Sequence, residues 1–296
     1  MSAQPERRGV IHDIGYRSYS GPRVGNGAIA RSLLWSGMLA VFGFGRSGKA
    51  KILPFALLAM SIVPAVVLVG IMAFIGLDSE LLNYAGYNQN TAFLVALFVA
   101  AQAPVLFSRD LRSGVISLYL ARPLGATEFA LTRWASLLVS IMAFVLTPLL
   151  ILLVGGLAAG ADVGEELPRF AVAAGGAVLM AVMLATVAAL AASWTMRRGL
   201  AVGGTIMVLL MGLGITAALQ EVASGEGQER LATWLGLLSP FVVVDSVQVG
   251  LSDAAAVYPA PADTASTALL MLAVALVLVA LGLVALVRRY RSKGSR

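Results

Sequence analysis

WASLLVSIMAFVLTPLLILLVGGL, residues 134–157, is the stretch whose reading decides the class of this protein. It contains no Asp, Glu, Lys or Arg. A hydrocarbon core about 30 Å thick takes roughly 20 residues of helix, so the stretch is long enough to cross a membrane. Working outward, apolar stretches at 52–75, 91–107, 170–192, 200–219 and 267–287 repeat the pattern, the short 91–107 stretch gaining a turn if it starts near Asn88. The sequence therefore predicts an all-α integral membrane protein with six transmembrane helices. Alternate segments between them hold 8, 4, 2 and 5 Lys+Arg, 19 of the 21, while 11 of the 15 acids lie on the opposite side. The positive-inside rule then predicts cytoplasmic termini.

Composition narrows the function. Hydrophobic residues make up 59% and charged residues 12% of the chain, and the mean hydropathy is +0.89. That division predicts a cytoplasmic segment 1–51, a membrane domain 52–287 and a basic tail 288–296. The first 25 residues hold no apolar core, so the first span is expected to act as its own insertion signal. The basic residues lie at the membrane ends, which points to anionic lipid headgroups as partners and not to nucleic acid. With no Cys and a single His, thiolate and multi-histidine metal sites are excluded.

Residues 27–44, GAIARSLLWSGMLAVFGF, are too short to span and read as an amphipathic helix on the membrane interface, with Trp35 as an anchor. The following GFGRSGKA matches part of a phosphate-binding loop. A span follows it, however, and Ala50 stands where the hydroxyl for magnesium is needed, so it reads as a flexible glycine-rich elbow with Arg46, Lys49 and Lys51 at headgroup level. Glycine pairs at 155–156, 175–176 and 203–204 predict close helix approach and contact with a second membrane subunit. Between 220 and 266 the chain reads as two short helices broken at Pro240 and capping the external mouth.

No ionisable residue falls well inside the six stretches, which argues against an ion-coupled pump and against a membrane hydrolase. Polar candidates for a substrate path are Gln102, Thr147, Thr205 and Gln220. The apolar interior suits a lipid-like, peptide or drug-like molecule better than a small ion.

The richest segment is SRDLRSGVISLYLARPLGATEFALTRWAS, residues 108–136. Charges at Asp110 and Arg112 lead into an apolar run, Arg122–Pro123 breaks it, and Thr127 and Glu128 are placed to cap the next helix. A short cytoplasmic helix lying across the membrane end follows. With Asp110, Arg112, Ser113, Gly114, Leu120, Pro123 and Ala135 in order, the segment resembles the coupling region of the permeases of ABC exporters, the ABC-2 membrane family. Leu111, Ser117 and Thr132–Arg133 depart from that family's pattern. LSPF at 238–241 and the helix before the first span extend the resemblance. It implies a subunit of the bacterial cytoplasmic membrane that is not itself an enzyme and carries no cofactor. ATP and Mg would be bound by a separate ATP-binding subunit. That subunit would seat the 110–120 helix through Val115, Ile116 and Leu118, with Asp110, Arg112, Ser113, Gly114, Arg122 and Pro123 around it. A second permease copy or a related permease would complete the transporter. The alternative is a polytopic membrane protein without transport activity, an assembly factor or sensory subunit.

Overall fold

The computed structural model describes residue 21 and residues 25–75, 83–108, 125–195, 197–252 and 254–294. Among these, every regular element is a helix: α1 (Asn26–Val41), α2 (Lys49–Ile75), α3 (Tyr84–Asn90), α4 (Ala92–Leu106), α5 (Ala126–Ala158) and α6 (Val163–Trp194). Then come α7 (Arg198–Gly225), α8 (Glu229–Leu235), α9 (Pro240–Leu251) and α10 (Ala265–Gly294). Helices α2, α5, α6, α7 and α10 are long and apolar enough to cross a membrane, and α3 with α4 makes a sixth crossing if the bent pair counts as one span. The chain is a multi-pass, all-α membrane protein.

The crossing helices outrun their apolar cores. α6 starts at Val163 because Asp162 caps it, its Oδ1 accepting from the backbone N–H of Gly164 (2.7 Å) and of Glu165 (3.2 Å). α5 starts at Ala126, well before Trp134, and Glu128 accepts from Gly125 N at 3.3 Å. The short stretch at 91–107 is the second half of a bent pair, α3 and α4. Asn83 Oδ1 caps α3, Thr91 Oγ1 bonds back to Tyr87 O, and the chain bends 58° between α3 and α4. A hydroxyl bonding to the preceding turn favours such a bend.

Two ends of the bundle follow from the connections. The base gathers the α1–α2 elbow, the end of α4, the starts of α5 and α7, and the ends of α6 and α10. The far end gathers α3, α8, α9 and the loop at 254–264. Among the described residues, the basic groups other than Arg169 and Arg230 belong to the base, and Glu128 is the acid found there.

α1 docks on α5 through Leu33, Gly37 and Val41, while Trp35 is 61% exposed. A Cβ on Gly37 would stand 2.5 Å from Ser136 Oγ, so only glycine allows this approach. The elbow is anchored at its first glycine. Phe44 N and Gly43 N close the end of α1 on Leu39 O (2.8 Å) and Ala40 O (3.1 Å), and Gly43 sits at φ 81°. A Cβ on Gly43 would lie 2.7 Å from the Ala50 carbonyl, so the turn is packed. Close helix approach holds at Gly155, against Val69, and at Gly176, against Gln248. It does not hold at Gly203 and Gly204, where a Cβ would meet nothing within 4 Å. That face of α7 lies beside the π-helical turn Met207–Met211. The break at Ser239–Pro240 lies where expected, but α9 is not a surface cap. Its residues from Phe241 to Gln248 are buried against α3, α6 and α10.

Candidate functional site

At the base, the segment read as a coupling lever leaves from Ser108 and returns at Gly125. Asp110, Arg112, Ser113, Gly114, Val115, Ile116, Leu118, Arg122 and Pro123 lie outside the described residues. Its two mounts are well defined. Ser108, 3% exposed, donates its hydroxyl to Ala192 O at 2.7 Å, tying the end of α4 to the end of α6. On the return side, Arg291 donates from Nε (3.1 Å) and Nη2 (2.9 Å) to Thr127 Oγ1, tying α10 to the first turn of α5. Thr127 therefore serves α10, and of the two expected caps only Glu128 bonds the helix start. Arg289 donates from Nε to Ser193 O at 3.4 Å and stacks 5.3 Å from the Trp194 ring. Tyr290 is buried 5.8 Å from the Phe129 ring, and the buried Arg133 guanidinium lies 5.3 Å from the same ring. Four helices, α4, α5, α6 and α10, are thus stitched together around Ser108 and Gly125, between which residues 109–124 run.

No protein-family model matches the chain, and no curated protein is significantly similar to it.

The interface residues occupy the elbow. Lys49 and Lys51 open α2, and Lys51 Nζ lies 4.6 Å above the Phe44 ring. Arg46 stands in the turn before them. Of the four path candidates, Gln102 is 3% exposed on α4, which packs on the first half of α7, where Thr205 is fully buried. Thr205 Oγ1 is spent on Ala201 O (2.8 Å). Gln220 is a clip, its Nε2 donating to Ala232 O (3.0 Å) and Ala260 O (3.2 Å) and so joining α7, α8 and the 254–264 loop. Thr147 borders an apolar groove of about 470 Å³ between α2 and α5, lined also by Val66, Val69, Leu150, Ile151, Val154 and Gly155.

The far end holds ionisable groups that hydropathy leaves out of the spans. Glu166 is 0% exposed on the first turn of α6. It accepts from Tyr84 Oη (2.6 Å) and Arg169 Nη1 (3.2 Å), which pins α3 to α6. Asp245, in α9, accepts from the backbone N–H of Val257 (3.2 Å) and Tyr258 (3.1 Å) and holds the 254–264 loop. Burial pushes its carboxyl pKa up, and the Tyr258 and Val257 N–H groups pull it back in part. The six apolar stretches themselves hold no ionisable residue, and Glu166 and Arg133 are buried just outside them, where α6 and α5 run past their apolar cores. The signal was available: Asp162 followed by Glu165 and Glu166 is a helix-start pattern, which places the carboxylates on α6 and not in a loop. Among the described residues, no group of three His, Cys, Asp or Glu side chains could hold a metal.

Proposed function

We propose that this membrane protein is the permease subunit of a bacterial ABC exporter, set in the cytoplasmic membrane with its base and both termini on the cytoplasmic side. A separate ATP-binding subunit drives it, and a second permease chain completes it. The observation that carries the reading is the stitching around residues 109–124. A segment that receives force must be held at both ends by elements that pass the force on, and a mere connector needs no such mounts. Here the α4 end is bonded to α6 through Ser108, and the α5 end is bonded to α10 through Thr127 and Arg291.

In this reading the ATPase binds and hydrolyses ATP with its own magnesium, and its groove takes the 110–120 helix. Val115, Ile116 and Leu118 form the buried face and Asp110 and Arg112 the rim. Movement of the segment then reaches α6 through Ser108 and α10 through Thr127, so the far end, 30 Å or so away across the bilayer, changes with the nucleotide state. The packed elbow supports a positioning role for Lys49 and no nucleotide role. The test is copurification of an ATP-binding subunit from the native membrane with hydrolysis that depends on this chain. A chain purified from native membrane with no ATPase attached, and supporting no ATP-dependent export in vesicles, contradicts the proposal.

A further inference from the structure

Helix α7 belongs to two packed units. On its base half Ala201, Thr205 and Leu209 are buried, and that half packs on α4 and α6. On its far half the buried residues are Thr216, Gln220 and Ala223, and that half packs on α8, the turn Gly236–Leu238 and α9. The apolar cores divide in the same way. Leu209 belongs to the main core of the bundle, whereas Ala223 joins Ala232 and Ala260, with Leu235 packed on them, in a separate small cluster. The far half is also clipped in place: Gln220 Nε2 bonds Ala232 O and Ala260 O, and Asp245 fastens the 254–264 loop to α9.

Between the two anchorages lies the π-helical turn Met207–Met211. Such turns are rare, interrupt the regular ladder of backbone bonds and are places where helices bend, frequently at functional sites. A carbonyl freed by bending inside a membrane needs another donor. One stands ready just past the turn, where Thr216 Oγ1 donates to Gly212 O at 2.6 Å. Gly203 and Gly204 precede the turn, and packing does not require either, since a Cβ there would meet nothing within 4 Å. In a rigid helix alanine would be the better residue at such a place. We propose that Met207–Met211 is a hinge, at which the base half of α7 moves with α4 while the far half stays clipped to α8. Its use in export rests on the permease reading, because α4 leads to Ser108, one mount of residues 109–124. The hinge itself rests on the divided packing of α7.

The chain has no cysteine, so a pair of nitroxide labels on introduced cysteines reports alone. Leu200→Cys with Val222→Cys brackets the turn at exposed positions, about 33 Å apart by helical rise. Leu269→Cys with Arg288→Cys, also exposed, gives a control of about 28 Å on the uninterrupted α10. Pulsed electron paramagnetic resonance on the full chain in lipid nanodiscs should give a distance distribution across α7 at least twice as wide as that along α10. Gly203→Ala with Gly204→Ala should narrow it to the control width. Equal widths in the two helices, or a width across α7 that the alanines leave unchanged, overturn the hinge. An unchanged width together with dissociation of a second copy would assign the glycines to docking between chains instead. If the alanine variant does not fold, the two widths of the parent chain still decide. In the ATP-driven complex the same alanines should leave ATPase copurification intact and lower export at least tenfold, and unchanged export with a narrowed distribution overturns the hinge's role in transport. A chain that copurifies with no ATPase defeats the permease reading and leaves the distance measurements standing, so the two readings fail separately.

Discussion

The bond between Tyr84 and Glu166 is the strongest single tie between the bent segment and the bundle. Tyr84→Phe removes one oxygen and leaves Glu166 with Arg169 alone. Glu166→Leu keeps volume and strands no buried cation, because Arg169 has Glu165 at 3.7 Å and a side chain 44% exposed. A hydrogen bond to a charged acceptor contributes about 1.5–3 kcal/mol in soluble proteins. Membrane helix pairs average about 0.6 and reach about 1.7, because the unfolded chain in the membrane also finds partners. The distance of 2.6 Å and the full burial of both groups place this pair near the top of that range. A double-mutant cycle is expected to give a coupling energy of about 1–1.7 kcal/mol, a factor of roughly 5 to 20 in the folding equilibrium. The assay is reversible unfolding of the purified chain in mixed detergent and SDS micelles. A coupling energy below about 0.3 kcal/mol, inside the usual additivity error, would refute the view that this bond pins α3.

Other predictions test separate parts of the account. Gly37→Val should destabilise the fold by about 1–3 kcal/mol through overpacking against Ser136, and Ser136→Gly should recover much of the loss in the same unfolding assay. At Asp245 the folded pKa is raised, so its stability contribution is full below the unfolded value near 4 and shrinks as pH rises through the folded value. Asp245→Asn should therefore flatten that part of the stability–pH profile, and an unchanged slope would assign it to another group. Single cysteines at Arg197 and Arg112 should resist an impermeant thiol reagent in intact cells while those at Ser224 and Asp263 react, and the reverse pattern would invert the proposed topology.

Much of the fold was legible because crossing a membrane leaves a length and polarity signature in the chain. The cores of α2, α5, α6, α7 and α10 all fall inside stretches that hydropathy marks. Their ends were less legible, since a helix runs past its apolar core wherever a cap permits, as Asp162 does for α6. The break at Thr91 was missed for a related reason. Asn88 and Gln89 belong to a buried helix whose surroundings are protein, and hydropathy scores them as if they faced lipid. In the elbow the sequence marks three glycines alike, and only the fold shows that Gly43 is the one demanded by a close backbone contact. Which polar groups cooperate was not legible, because Tyr84 and Glu166 are 82 residues apart and meet only through the fold.

The central claim is that the Ser108–Pro123 region couples an ATPase to the bundle, and a single pull-down tests it most directly. Gly114→Val and Ile116→Asp are introduced separately, membrane insertion is checked by fractionation, and the ATP-binding subunit retained by each purified variant is measured. Truncation of a central apolar anchor typically costs more than about 1 kcal/mol of binding, and an aspartate buried at an interface costs further. The account predicts that both variants insert normally, lose the copurifying ATPase and lose ATP-driven export. Wild-type levels of bound ATPase and of export in both variants would contradict it.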